Sequence, residues 1–95
     1  MANMKEIKKA RDHIDRIDTV IITALAERMS LMPEIAEYKK NHNVPIFDEA
    51  REQQIMKNLQ KIAEQQGLDK SFVEEVFLSV FNESKRIQND IITKS

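Results

Sequence analysis

Between Met4 and Lys40 the chain contains no glycine and a single proline, and through that stretch apolar residues recur at alternating spacings of three and four. The positions are Ile7, Ala10, Ile14, Ile17, Ile21, Ala24, Arg28, Leu31, Ile35 and Tyr38, and all but Arg28 are apolar or aromatic. That period is the seam of a packed α-helix. A helix from residue 4 to about residue 40 reaches some 55 Å, whereas a compact chain of this length measures roughly 32 Å across. Such a helix projects out of its own subunit, and its apolar stripe needs a cover. A second copy related by a two-fold axis is the simplest one, so a homodimer with long helices packed together is expected.

Pro33 interrupts this argument, because an interior proline removes one backbone hydrogen bond and kinks or ends a helix. Two shorter helices, 4 to 31 and 34 to 40, are the alternative. The stripe stays in phase across Pro33 to Ile35 and Tyr38, which favours one kinked helix.

One glycine and two prolines are far too few for the turns of an all-β protein, so the whole chain is expected to be all-α. The segment Asn41-His42-Asn43-Val44-Pro45 has the composition of a loop, and Gly67 is the only later breaker. Three helices follow: about 4 to 40, about 49 to 65 and about 70 to 92. Asp48 stands at an N-cap position with Glu49 and Glu52 in the first turn behind it. Gly67 suits the residue after a helix end, and Asp69 or Ser71 can cap the third helix. Nothing resembles a repeat or a linker, so residues 1–95 are read as one domain.

With 15 Lys+Arg against 16 Asp+Glu the charge is balanced, and no net field draws the chain to nucleic acid or to a membrane surface. The longest uncharged apolar run, Thr19 to Ala26, is too short to span a bilayer. The chain has no cysteine, and its lysine-rich N-terminus carries no apolar targeting segment, so a soluble cytoplasmic protein is expected.

Polar residues interrupt the apolar face of every helix. Arg28 breaks the first stripe; in the second helix the face Ile55, Leu59, Ile62 runs back to Glu52 and Asp48, with Arg51 beside it. In the third, Phe77 and Phe81 are followed on one face by Ser84 and Gln88. Each has an ordinary structural role available: Asp48 as a cap, Glu52 as a dipole partner, Arg28 paired with a core carboxylate, Lys39 and Lys40 as a solvated helix end. Together they describe a pocket for a small dianion that also bears a hydroxyl, since guanidinium groups match carboxylates and a buried acid accepts a hydroxyl proton. No metal spacing, thiol nucleophile or glycine-rich phosphate loop is present, and His13 and His42 fall on an exposed flank and in a loop. An enzyme built this way needs no metal and no bound cofactor.

In their order and spacing, several segments resemble the all-helical chorismate mutase family, in its small stand-alone form, from about Lys5 to Ile92. They are Arg11 with Ile14-Asp15-Arg16-Ile17-Asp18, Ala26-Glu27-Arg28, Tyr38-Lys39, Pro45-Ile46, Asp48-Glu49-Ala50-Arg51-Glu52, and Ser84 with Gln88. The resemblance implies an intertwined homodimer that rearranges chorismate to prephenate, on the route to phenylalanine and tyrosine. It implies that Arg11 and Arg28 hold the substrate carboxylates, that Arg51 supports that cationic wall, and that Lys39 and Gln88 donate to the ether oxygen. Asp48 and Glu52 match the groups around the ring hydroxyl, and Ser84 matches a carboxylate ligand. Arg11 and Arg28 stand about 25 Å apart on one helix, so one of them must come from the other subunit, and the resemblance implies that it is Arg11. Pro33, Phe81 and Lys85 depart from the family pattern. Other readings are an isochorismate-pyruvate lyase or a mutase of an amino-substituted chorismate on the same scaffold, and a non-catalytic dimerisation or regulatory module.

Overall fold

The computed structural model describes residues 3–94. Among them all regular structure is helical: α1 (Met4–Ser30), α2 (Met32–Asn41), α3 (Glu49–Gln66) and α4 (Lys70–Lys94). These are the three expected helical runs, the first of them parted into α1 and α2 at Leu31. No helix among the described residues is long and apolar enough to cross a membrane.

The parting at Leu31 has a local cause. Pro33 has no N–H to offer the carbonyl four residues back, and its ring crowds that carbonyl. Leu31 keeps right-handed backbone angles, and its N–H closes the last turn of α1 on the carbonyl of Arg28 at 3.3 Å, a bond three residues long. Pro33 then falls in the first turn of α2, where a missing N–H costs nothing. The side-chain period runs on in phase because it registers the turn angle and is blind to one lost bond.

The chain divides at this point into two compact units, α1 and then α2 to α4. In the first unit, Asn3 caps α1 reciprocally: its Oδ1 accepts from the Glu6 N–H at 2.9 Å, and Glu6 Oε2 accepts from the Asn3 N–H at 3.3 Å. No residue of α1 is buried, and the stripe residues Ile14 and Ile21 are 53% and 51% exposed.

In the second unit α2 and α3 both pack on α4. Met32 and Ala36 from α2, Ala63 from α3, and Val73, Val80 and Phe81 from α4 form the core. The two alanines permit close approach of the helices, and Phe77 meets Phe81 edge-on at 6.3 Å between centroids. The inward face of α3 differs from the expected one at its end: Ile62 is exposed, and Ala63 is the buried residue. Size decides this, because a methyl fits a tight helix contact and a branched side chain does not.

The helix ends follow their local chemistry. Asp48 Oδ1 accepts from the Arg51 N–H at 3.0 Å to cap α3, and Asp69 Oδ1 accepts from Ser71 N–H at 2.7 Å to cap α4. Past α2, Asn43 adopts φ 55° while Val44 N–H reaches back to the Lys39 carbonyl at 2.8 Å. Gly67 does the same for α3 at φ 73°, with Leu68 N–H bonded to the Ala63 carbonyl at 2.8 Å. No atom stands within 4 Å of where a Gly67 side chain would begin, so Gly67→Ala meets only backbone strain. A loss of about 1 kcal/mol is expected, measurable as a lower urea midpoint with unchanged slope.

Candidate active site

Three polar residues of the second unit, Lys39, Asp48 and Glu52, come together where the end of α2, the 42–48 loop and the first turns of α3 meet, and Lys85 of α4 joins them at Glu52. Lys39 lies in the last turn of α2 and is half-buried; its Nζ donates to the Ile46 carbonyl at 2.9 Å. Burial holds its pKa below the usual lysine value of 10.5, while the carboxylates of Asp48 and Glu52 pull it the other way. The helix cap thus has a second effect. The α2 turn ending at Asn43 brings the chain round so that Asp48 and Glu52, one α3 turn apart, both act on the Lys39 charge.

Glu52 has a second cation. Lys85 Nζ stands 3.0 Å from its carboxylate, with both side chains about three-quarters buried, at 25% and 22% exposed. Lys85 also lies 4.5 Å from the centroid of the Phe47 ring. On its other flank Glu52 borders a cleft of about 270 Å³ walled by Phe47, Met56, Leu78 and Phe81.

Ser84 and Gln88, one turn apart on α4, are both buried. Ser84 Oγ donates to the Val80 carbonyl at 2.8 Å within its own helix. Gln88 is only 4% exposed, its Nε2 donates to the Met32 sulfur at 3.4 Å, and its Oε1 has no hydrogen-bond partner. Sulfur is a weak acceptor, so one end of the amide is poorly satisfied and the other unsatisfied. An orphaned buried acceptor costs about 1–3 kcal/mol, which makes this the polar group that packing alone explains least.

The remaining expected residues are Arg51, Arg11 and Arg28. Arg51 is exposed, and its guanidinium donates along its own helix to Gln54 Oε1 at 2.8 Å. Arg11, exposed, and Arg28, half-buried, belong to α1. That helix is continuous from one to the other, so they stand about 25 Å apart along its axis. One small molecule cannot be gripped by both from a single chain. His42 is engaged locally, stacked on Tyr38 at 4.1 Å. Among the described residues no group of His, Cys, Asp and Glu has the arrangement to hold a metal ion.

Two contributors escaped sequence reading. In the sequence Lys85 stands out only as a departure from pattern, although its place between Ser84 and Gln88 puts it toward the inward side of α4. Met32, the partner of Gln88, gave no signal beyond being apolar.

Residues 10–89 match the family model of chorismate mutase type II, a span that includes all eight expected site residues from Arg11 to Gln88. The chain belongs to the chorismate mutase type II family. A T-protein from Enterobacter agglomerans is 33% identical over 85 residues, which is 90% of this chain and 23% of that protein. This chain therefore spans less than a quarter of that relative's length. A chorismate mutase from Methanocaldococcus jannaschii is 27% identical over 92 residues, covering 97% of this chain and 93% of its own length. A 4-amino-4-deoxychorismate mutase from Streptomyces venezuelae is 24% identical over 94 residues, covering 99% and 91%.

Proposed function

We propose that this chain catalyses the intramolecular rearrangement of chorismate to prephenate, as an intertwined homodimer with two equivalent sites. The observation that carries the reading is Gln88: a buried amide with one end unpartnered, in the same unit as a half-buried Lys39 flanked by two carboxylates. In the reaction one carbon–oxygen bond breaks as one carbon–carbon bond forms within the same molecule. No group is transferred to the protein, so the protein has only to hold a compact conformer and stabilise the charge that grows on the ether oxygen. Lys39 Nζ supplies a cationic donor and the Gln88 amide a neutral one. Half a turn of the amide exchanges its ends, so its unpartnered side can present N–H.

Arg28 and Arg11 supply the carboxylate grip, the latter from the partner subunit, and Ser84 adds a further ligand. Arg51 supports the cationic wall by leaving Gln54. Asp48 and Glu52 take the ring hydroxyl. Two facts about α1 support the shared site: its two arginines are about 25 Å apart, and its apolar stripe is exposed.

The direct test is to follow loss of chorismate absorbance and appearance of prephenate with the purified chain. Absence of turnover, with pyruvate released from isochorismate, would replace this reading by the lyase. The Streptomyces relative gives an amino-substituted chorismate as a second reading, against which Asp48 and Glu52 both stand as hydroxyl acceptors. Sharing of sites has its own test. Arg11→Ala and Lys39→Ala chains, each inactive alone and refolded together in equal amounts, should regain about a quarter of wild-type activity through the one intact site of each mixed dimer. If Arg11 served its own subunit's site, mixing would restore nothing.

A further inference from the structure

Lys85 occupies a position where a surface lysine has no reason to stay. Its ammonium is held from two segments outside its own helix: Glu52 in the first turn of α3 at 3.0 Å, and the Phe47 ring of the preceding loop at 4.5 Å. Both members of the pair are about three-quarters out of water, so each needs the other to offset lost hydration. The aromatic face beneath Lys85 favours the ammonium over an excursion to solvent.

The charge balance of the cluster turns on this residue. Asp48 and Glu52 bring two negative charges, and Lys39 and Lys85 two positive ones. Without Lys85 the patch is net negative and confronts an incoming dianion. With it, Glu52 is neutralised from the α4 side, and more of the Lys39 charge is available to the ligand.

We propose that Lys85 is a positioning residue that fixes and neutralises Glu52, and that the Lys85–Glu52 pair selects a substrate whose ring substituent is a neutral hydroxyl over one bearing an ammonium group. The proposal rests on the mutase reading and deepens it to substrate choice. A carboxylate paired through one lone pair still accepts a hydrogen bond from a hydroxyl through the others. A second ammonium brought to the same carboxylate meets Lys85 as a like charge, and that repulsion supplies the discrimination.

The test uses the wild type with Lys85→Met, Lys85→Arg, Glu52→Gln and the Lys85→Met/Glu52→Gln double variant. Each is assayed for kcat and KM on chorismate and on 4-amino-4-deoxychorismate, with thermal melts by circular dichroism. Lys85→Met is expected to raise KM for chorismate roughly tenfold with a much smaller change in kcat, and Lys85→Arg to stay within about threefold of wild type. In the Glu52→Gln background the KM penalty of Lys85→Met should fall below about twofold, because the charge it compensates is gone. The preference for the hydroxyl over the amino substrate, as a ratio of kcat/KM, should shrink roughly tenfold in Lys85→Met. An equal KM penalty in both backgrounds, or an unchanged preference, overturns the proposal. Turnover of neither compound by the wild type would instead overturn the mutase reading. The pair is then judged by calorimetric binding of chorismate to the same five proteins. Weakening by Lys85→Met that vanishes beside Glu52→Gln upholds the positioning role, and its absence rejects it.

Discussion

Replacing Lys39 by alanine is expected to lower kcat/KM for chorismate by about 10³-fold or more while the helix content stays at the wild-type level. Two effects combine. In the proposed mechanism the variant loses the cationic donor to the ether oxygen, a contribution of about 10²–10³ for comparable donors. It also removes the cation that Asp48 and Glu52 both act on, leaving their charges to face a dianion. The fold should survive, because Lys39 Nζ makes one contact to the Ile46 carbonyl at a half-exposed site. The same geometry sets the alkaline limb of the wild type. Burial holds the Lys39 pKa below 10.5, so the protonated form is lost at lower pH than for a solvated lysine. A plot of kcat/KM against pH, which reports the free enzyme, should fall as pH rises through that lowered pKa. A plateau extending past 10.5 would exclude Lys39 as the essential cation.

The second large effect belongs to Gln88. The amide is neutral at every working pH, whereas Gln88→Glu installs an acid at a site 4% exposed. Desolvation raises the pKa of such a carboxyl, and only its protonated form can donate. Activity should therefore collapse at alkaline pH and recover on acidification, with roughly one decade of kcat/KM regained per pH unit above the new pKa. A flat profile would remove Gln88 from the role of donor. The isosteric Gln88→Met separates function from folding: it discards an orphaned acceptor, so stability should hold or improve while kcat/KM falls about 10²–10³-fold.

Different parts of this molecule were legible to different degrees. Asp48, Gly67 and Asp69 declared the helix ends because capping is local chemistry, written within three or four residues. Ser84 and Gln88 were legible as polar residues on an otherwise apolar face, and both are buried. The parting at Leu31 was visible only as a question about Pro33, since a hydrophobic period carries no record of a missing N–H. Ile62 and Ala63 exchanged places because hydropathy ranks isoleucine above alanine, whereas a close helix crossing ranks them by size. Lys85 was illegible as a site residue. A lysine on a helix is solvated by default, and only the fold brings Glu52 and Phe47 to it. The Lys39 bond to the Ile46 carbonyl depends on the path of the 42–48 loop, which composition identifies as a loop without tracing it.

The bare surface of α1 has a consequence for how the protein behaves in dilute solution. None of the 27 residues of α1 is buried, and a helix without packing support is only marginally stable in water. If a second copy supplies that support, ordering of α1 and association become a single equilibrium, and Arg11 and Arg28 are presented only to the extent that chains have met. The melting temperature should then climb with protein concentration, and turnover per chain should decline on dilution below the dissociation constant. Assay concentration thereby becomes a variable of the enzyme.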